Sequence, residues 1–326
     1  MNVHPATSGF SPELAKGSER TVEVLLKNDS QRIETALNLE SSSARIEVQC
    51  LLQAVLQVNR AWLLTHSEQL LSDEQQAQFN ILFERRLTGE PLAYLLGERE
   101  FYGLAFKVSP ATLIPRPETE LLVELALQRI SQLPASPTHP DPPLSRREQG
   151  RSKNAFRVLD LGTGSGAIAL SIAHVRRDVE VVAVDASAAA LEVAQLNAQR
   201  LKLDNVRLVH SDWFDALHGE RFDIIVSNPP YVAADDAHLK QGDLRFEPHT
   251  ALVSGADGLD DIRRICAQAK AHLNNQGWLL FEHGYDQAEQ VRALLQQSGF
   301  AGVFSARDLS GVERVSGGTN SKSLPK

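Results

Sequence analysis

The chain has 326 residues, 42% of them hydrophobic and 23% charged, which fits a soluble globular protein of about two domains. Its 33 basic and 41 acidic side chains leave a formal charge of -8, so bulk attraction to a nucleic-acid polyanion is not expected. Cys50 and Cys266 fit neither a disulfide framework nor a zinc-ligand pattern, and no window resembles a signal-peptide core or a membrane span, so a cytoplasmic location with no metal is expected.

Residues 1–20, with Pro5, Gly9 and Pro12, read as a disordered tail. From 21 to 97, apolar residues recur at helical spacing, as in Ile46, Leu51, Leu52, Val55 and Leu56, then Phe79, Leu82, Phe83 and Leu87. This predicts a small helical domain. Ser72-Asp73-Glu74 supplies a cap and first-turn acids for one helix, which Gly89 and Pro91 stop. Residues 98–130 read as a strand or hairpin over Phe101–Val108, then a helix opened by Pro117 and ending near Ile130. Residues 131–156 carry Pro134, Pro137, Pro140, Pro142 and Pro143 and too little apolar surface to offset ordering entropy. A flexible loop is expected there, with a proline-rich docking motif as the alternative.

From 157 to 318, short β-branched runs alternate with helical ones. Strands are expected at Arg157–Leu161, Val179–Val184, Val206–Val209, Phe222–Val226 and Trp278–Phe281. Helices are expected at Gly166–Val175, Ala188–Leu201, Asp260–Leu273 and Asp286–Ser298. The alternation implies parallel βαβ units in an α/β doubly wound sheet, closed by a hairpin over Phe304–Ser316. Residues 319–326 form a polar tail.

Asp160-Leu161-Gly162-Thr163-Gly164-Ser165-Gly166 reads as strand, glycine turn and helix start, a place where the backbone can approach a ligand. The glycines also satisfy a relaxed nicotinamide pattern. Asp160 shifts the balance, because a carboxylate before the turn suits a cationic or amine-bearing ligand better than a pyrophosphate. S-adenosylmethionine has a sulfonium and an amino group but no phosphate. Asp185, ending the next strand, can accept ribose hydroxyls. Asp212 could accept from an adenine amino group, and Trp213 could cover the ring or simply pack in the core.

Asn228-Pro229-Pro230-Tyr231 follows a buried strand at the end where open α/β sheets bind ligands. Two prolines remove two N–H donors, so the loop presents acceptors. The Asn228 side-chain oxygen and the Pro229 carbonyl can each take a hydrogen from one planar –NH2 group, with the Tyr231 ring against it. Such a grip would turn a delocalised amide lone pair toward a methyl group, so catalysis would be orientation plus preorganised acceptors.

These residues resemble the class I S-adenosylmethionine-dependent methyltransferases, and within them the HemK-type protein-(glutamine-N5) methyltransferases of peptide chain release factors. Gly89-Glu90-Pro91, Phe101-Tyr102-Gly103, Leu113-Ile114-Pro115-Arg116-Pro117-Glu118-Thr119-Glu120 and Phe246-Glu247-Pro248 match the same family. The resemblance implies a seven-stranded sheet with a helical domain before it that docks the substrate. It also implies S-adenosylmethionine as cofactor, held by Asp160, Gly162, Thr163, Gly164, Ser165, Gly166, Asp185, Asp212, Trp213 and Asn228. The substrate glutamine would lie against Phe101, Arg116, Asn228, Pro229, Pro230 and Tyr231, with Asn228, Pro229 and Tyr231 carrying catalysis. A monomer acting on release factors, with no direct nucleic-acid or membrane partner, is expected. An amino-methylating DNA or RNA enzyme and an idle ligand-binding scaffold are the alternatives.

Overall fold

The computed structural model describes residues 20–133 and 156–321. Nearly all of the expected N-terminal tail, most of the proline-rich stretch and the last residues of the polar tail lie outside them. The chain divides into two compact units, one ending at Leu95 and the other starting at Leu96.

The first unit is helical: α1 Val22–Leu37, α2 Ser41–Leu56, α3 Arg60–Thr65, α4 Asp73–Leu87 and the short α5 Leu92–Leu96, which runs to the boundary. The Thr21 hydroxyl oxygen accepts from the Val24 N–H at the start of α1, and Asn38 closes that helix in the left-handed region. At α4, Ser72 and Gln75 form a reciprocal capping box, so two otherwise orphaned N–H groups are satisfied. Leu25, Ile33, Val48, Leu51, Leu52, Phe79 and Phe83 make the core, while Ile46, despite its spacing, is half exposed. Arg86 on α4 reaches Glu47 on α2 with two hydrogen bonds of 2.7 and 2.9 Å, so its buried charge is paired.

The second unit opens with a hairpin, β1 Glu98–Phe101 and β2 Leu104–Lys107, turned by Tyr102 and Gly103, both at positive φ. A 3-10 turn over Pro117–Thr119 leads into α6 Glu120–Gln132. The sheet follows: β3 Arg157–Leu161, α7 Ala167–Val175, β4 Glu180–Asp185, α8 Ala188–Arg200, β5 Val206–His210, β6 Phe222–Ser227, α9 Asp260–His272, β7 Leu273–Glu282, α10 Ala288–Gln297, β8 Ala301–Arg307 and β9 Glu313–Thr319.

Strand order is β5-β4-β3-β6-β7-β9-β8, with β9 antiparallel to both neighbours and the other pairings parallel. Two-residue periodicity sorts the strands onto two cores. Val158, Val181, Ala183, Ile224, Val226 and Leu280 face a layer from α6 and α7, and Leu159, Leu161, Val182, Val184, Ile225, Leu279 and Phe281 face α9 and α10. Because both faces are covered, every residue of β6 is buried. Two details depart from the sequence expectation. β7 begins at Leu273 rather than Trp278, because a register irregularity opposite Phe222 and Ile224 absorbs the polar Asn274–Gly277 segment. Three 3-10 turns also occupy the connection between β6 and α9. Among the described residues, no helix is long and apolar enough to cross a membrane.

Candidate active site

Strand order reverses between β3 and β6, where successive connections leave in opposite directions and open a crevice at the carboxyl ends of the strands. A cavity of about 600 Å³ lies there, of the size that holds a small-molecule ligand. Its walls are Gly162–Ser165 after β3, Asp185 at the end of β4, Ser211–Trp213 after β5, and Asn228 and Pro230 after β6. Ala111–Leu113, Thr119, Pro248, Thr250 and Ala251 close the remaining side.

Gly162, Gly164 and Gly166 all have positive φ, so the chain can turn tightly from β3 into α7. Asp160, fully buried beneath this turn, accepts from the Thr163 hydroxyl at 2.7 Å and the Ala169 N–H at 3.2 Å. Burial pushes its carboxyl up to about 7 despite those two donors, and its Oδ1 has no hydrogen-bond partner among the described residues. Asp185 accepts from the Gly164 N–H through one oxygen and the Ser187 N–H through the other, both at 2.8 Å. The carboxylate thereby locks the turn to the start of α8 while remaining on the cavity wall, and its burial raises its pKa. Trp213, at φ 49°, lays its ring beside Gly162, where any Cβ would stand 3.6 Å from the indole.

The loop after β6 is held from several directions. Ser227 donates to the Leu161 carbonyl at 2.8 Å, tying the end of β6 to β3. The Gln287 amide donates to the Tyr231 carbonyl at 3.0 Å, and Val232 pairs with Val253 as an isolated parallel bridge. Asn228 donates through Nδ2 to the Thr119 hydroxyl oxygen at 3.3 Å, while its buried Oδ1 has no partner among the described residues. Asn228 is thus a residue of the cavity wall whose fixed amide keeps a buried, uncommitted acceptor.

Of the cofactor residues expected from sequence, the structure brings Gly162, Thr163, Gly164, Ser165, Asp185, Asp212, Trp213 and Asn228 to the cavity. Asp160 and Gly166 stand behind that wall. Gly166 is needed for packing, since a Cβ would meet Leu170 at 2.8 Å. Asp212 reaches the cavity with its carboxylate engaged by two hydrogen bonds from Arg264, at 2.9 and 2.8 Å. Among the expected substrate residues, Asn228 and Pro230 line the cavity. Phe101 is instead core, 1% exposed and edge-on to Phe106 at 6.1 Å. Arg116 pairs with the buried Glu247 at 2.6 Å, Pro229 is buried, and the Tyr231 hydroxyl turns away to donate to Glu282 at 3.1 Å. Thr119, Arg264 and Glu282 were not singled out from sequence. Thr119 lay within the Pro115–Glu120 motif, whereas nothing local marks Arg264 or Glu282, whose partners are 52 and 51 residues away.

A doubly wound sheet with an antiparallel last strand, a glycine turn over a buried carboxylate, and an acceptor loop after the fourth strand of that sheet define a class I S-adenosylmethionine-dependent methyltransferase. Residues 148–244 match the Methyltransferase small domain and residues 30–97 the PrmC N-terminal domain. The chain is 50% identical to the release factor glutamine methyltransferase of Bordetella pertussis over 84% of its own length and 94% of the relative's. It is 46% identical to that of Escherichia coli over 84% and 92%. The chain belongs to the release factor glutamine methyltransferase family. Among solved structures, the hMettl16 catalytic domain in complex with an RNA hairpin shares the fold, with a TM-score of 0.51, 15% identity, and coverage of 75% of this chain and 84% of that one.

Proposed function

We propose that the enzyme transfers a methyl group from S-adenosylmethionine to the side-chain amide nitrogen of the glutamine in the Gly-Gly-Gln motif of peptide chain release factors. The observation that carries this reading is the uncommitted, buried Oδ1 of Asn228, a residue of the cavity wall. Leaving such an acceptor unpaired costs about 1–3 kcal/mol, which a donor N–H from a carboxamide recovers.

The residues present fit the cofactor. Arg264, the cationic side chain on the wall among the described residues, is already paired with Asp212, so no uncommitted cationic side chain there faces a pyrophosphate. Asp185 on the wall instead suits the hydroxyl groups of a ribose, and Asp160 holds the glycine turn from behind. Gly162–Ser165, Asp185 and Trp213 would hold S-adenosylmethionine, which when bound supplies an electrophilic methyl.

The protein's part in the reaction is orientation. Asn228 Oδ1 accepts one hydrogen of the glutamine –NH2 and the Pro229 carbonyl accepts the other, so the nitrogen presents its lone pair rather than its hydrogens. Positive charge developing on that nitrogen meets two oxygens fixed in advance, and the surplus proton leaves to water without a dedicated base. Tyr231 supports the loop from behind through Glu282. The N-terminal helical unit, from 21 to 97, is the proposed docking surface for the protein substrate, with the enzyme acting as a monomer in the cytoplasm.

Mass spectrometry of a release factor incubated with enzyme and S-adenosylmethionine tests the reading. One added methyl on the Gly-Gly-Gln glutamine is expected. Label from tritiated cofactor appearing in nucleic acid instead would establish the adenine or cytosine amino-methylating alternative, which the relatives' names do not favour.

A further inference from the structure

Pro229 and Pro230 leave the loop after β6 without two N–H donors of its own, so its position depends on donors from outside. Gln287 is one of these, 7% exposed at the start of α10, where its side chain does not cap its own helix. Its Oε1 accepts from the Gly284 N–H at 2.8 Å, while its Nε2 donates to the Tyr231 carbonyl at 3.0 Å and to the Asp257 carbonyl at 3.4 Å. One donor and two acceptors surround this amide, and only one of its two orientations satisfies all three. The Gln287 N–H donates back to the Gly284 carbonyl at 3.1 Å, which fixes the turn from which the side chain projects. Gly258 packs against both the Tyr231 oxygen and Nε2, so neither can slide away on that side.

We infer that Gln287 is a positioning residue for methyl transfer: by holding the Tyr231 carbonyl it sets where the Asn228 oxygen and the Pro229 carbonyl stand before the substrate amide. The inference rests on the reading of those two oxygens as the grip on the glutamine –NH2. Both proline rings fix φ, so few soft torsions separate Pro229 from Tyr231, and a shift of the Tyr231 carbonyl passes along the loop instead of being absorbed. The other end of the loop is tied by Ser227 to Leu161 and by Asn228 Nδ2 to Thr119. Gln287 is not part of the cavity wall, so it acts through the loop.

Gln287→Met removes the donor without adding charge. Its kcat should fall about 10- to 100-fold, the cost of a small misplacement in a site that works by orientation. Rates are taken per cofactor-binding site counted by calorimetry, so unfolded enzyme does not enter them. S-adenosylmethionine Kd and release-factor KM should stay at parent values, as for an interaction realised in the transition state. A merely structural role would lower Tm and the number of binding sites while leaving kcat per site intact. Gln287→Glu keeps the acceptor for the Gly284 N–H but sets a carboxylate oxygen against two carbonyls. The ratio of its kcat to the parent's should climb as pH falls, because the protonated carboxyl regains a donor for the Tyr231 carbonyl.

Parent-like kcat per site in Gln287→Met would overturn the inference, as would a loss carried wholly by KM or by cofactor Kd. If Gln287→Met does not fold, the Gln287→Glu ratio decides: a rise toward low pH supports the role and a flat ratio overturns it. Asn228→Ala separates the two levels. Parent-like turnover there removes the amide grip and the inference with it, whereas a large loss there beside a parent-like Gln287→Met removes only the role of Gln287.

Discussion

Asn228 and Asp185 both line the cavity, and under the proposed function their substitutions should have different effects. Asn228→Ala deletes an acceptor that matters as charge develops on nitrogen, so kcat should fall at least about 100-fold while calorimetry shows S-adenosylmethionine bound as before. Asp185→Ala should weaken that affinity roughly 10- to 100-fold, because it removes a hydroxyl acceptor and also frees the Gly164 and Ser187 N–H groups, worth about 1–3 kcal/mol if left unpaired. Equal cofactor affinity in that variant would remove its ribose role. Glu247 offers a pH signature. Its carboxyl is buried and pushed up to about 7 by desolvation, with Arg116 opposing, from an ordinary value of 4.5. A raised carboxyl stabilises the fold while protonated, so its contribution is complete below pH 4.5 and is lost as pH climbs through about 7. The loss is on the order of 3 kcal/mol at most. Urea midpoints of the parent should drop between pH 4.5 and 7, and those of Glu247→Gln should drop less, part of the remaining slope belonging to Asp160, which is shifted in the same direction. Parallel slopes would count against this account.

At the scale of elements, the functional loop depends on neighbours that sequence patterns do not bring together. Gly258, at φ 75°, passes so close to the loop that an added Cβ would stand 2.2 Å from the Tyr231 carbonyl oxygen and 2.8 Å from Gln287 Nε2. Gly258→Ala should therefore push Tyr231 off Gln287 and lower both stability, by about 1–3 kcal/mol, and kcat; a parent-like kcat and urea midpoint would show the loop is not pinned there. The βα alternation, the glycine turn and the Asn-Pro-Pro-Tyr loop were legible in advance because each is a local pattern: two-residue periodicity, positive φ, missing N–H donors. The start of β7 was not, since Asn274 and Gln276 break the apolar run and only pairing with β6 keeps that segment in the sheet. Phe101 misled for a similar reason. A motif places a residue in sequence, but whether its ring faces cavity or core depends on Phe106, which the hairpin turns toward it. Asp212 lies on the cavity wall, yet its partner Arg264 comes from α9 and no local signal announces it.

At the scale of the whole molecule, cofactor and protein substrate should leave separate footprints. Every residue on the cavity wall falls between Ala111 and Arg264, inside the unit that starts at Leu96, while the helices α1 to α4 belong to the other unit. The net charge of -8 argues against a nucleic-acid polyanion as the second ligand, in line with the proposal that the helical unit docks a protein. Ligand binding slows exchange of the amides whose opening it opposes. Hydrogen exchange with S-adenosylmethionine alone should therefore protect residues 162–165 and 185–190 and leave α1, α2 and α4 at their parent rates. Adding a release factor should then protect amides in those helices and in the segment 228–232, with no such gain from an RNA of equal size. Protection by the release factor confined to the second unit would assign docking to the methyltransferase sheet and leave the helices without a part in substrate recognition.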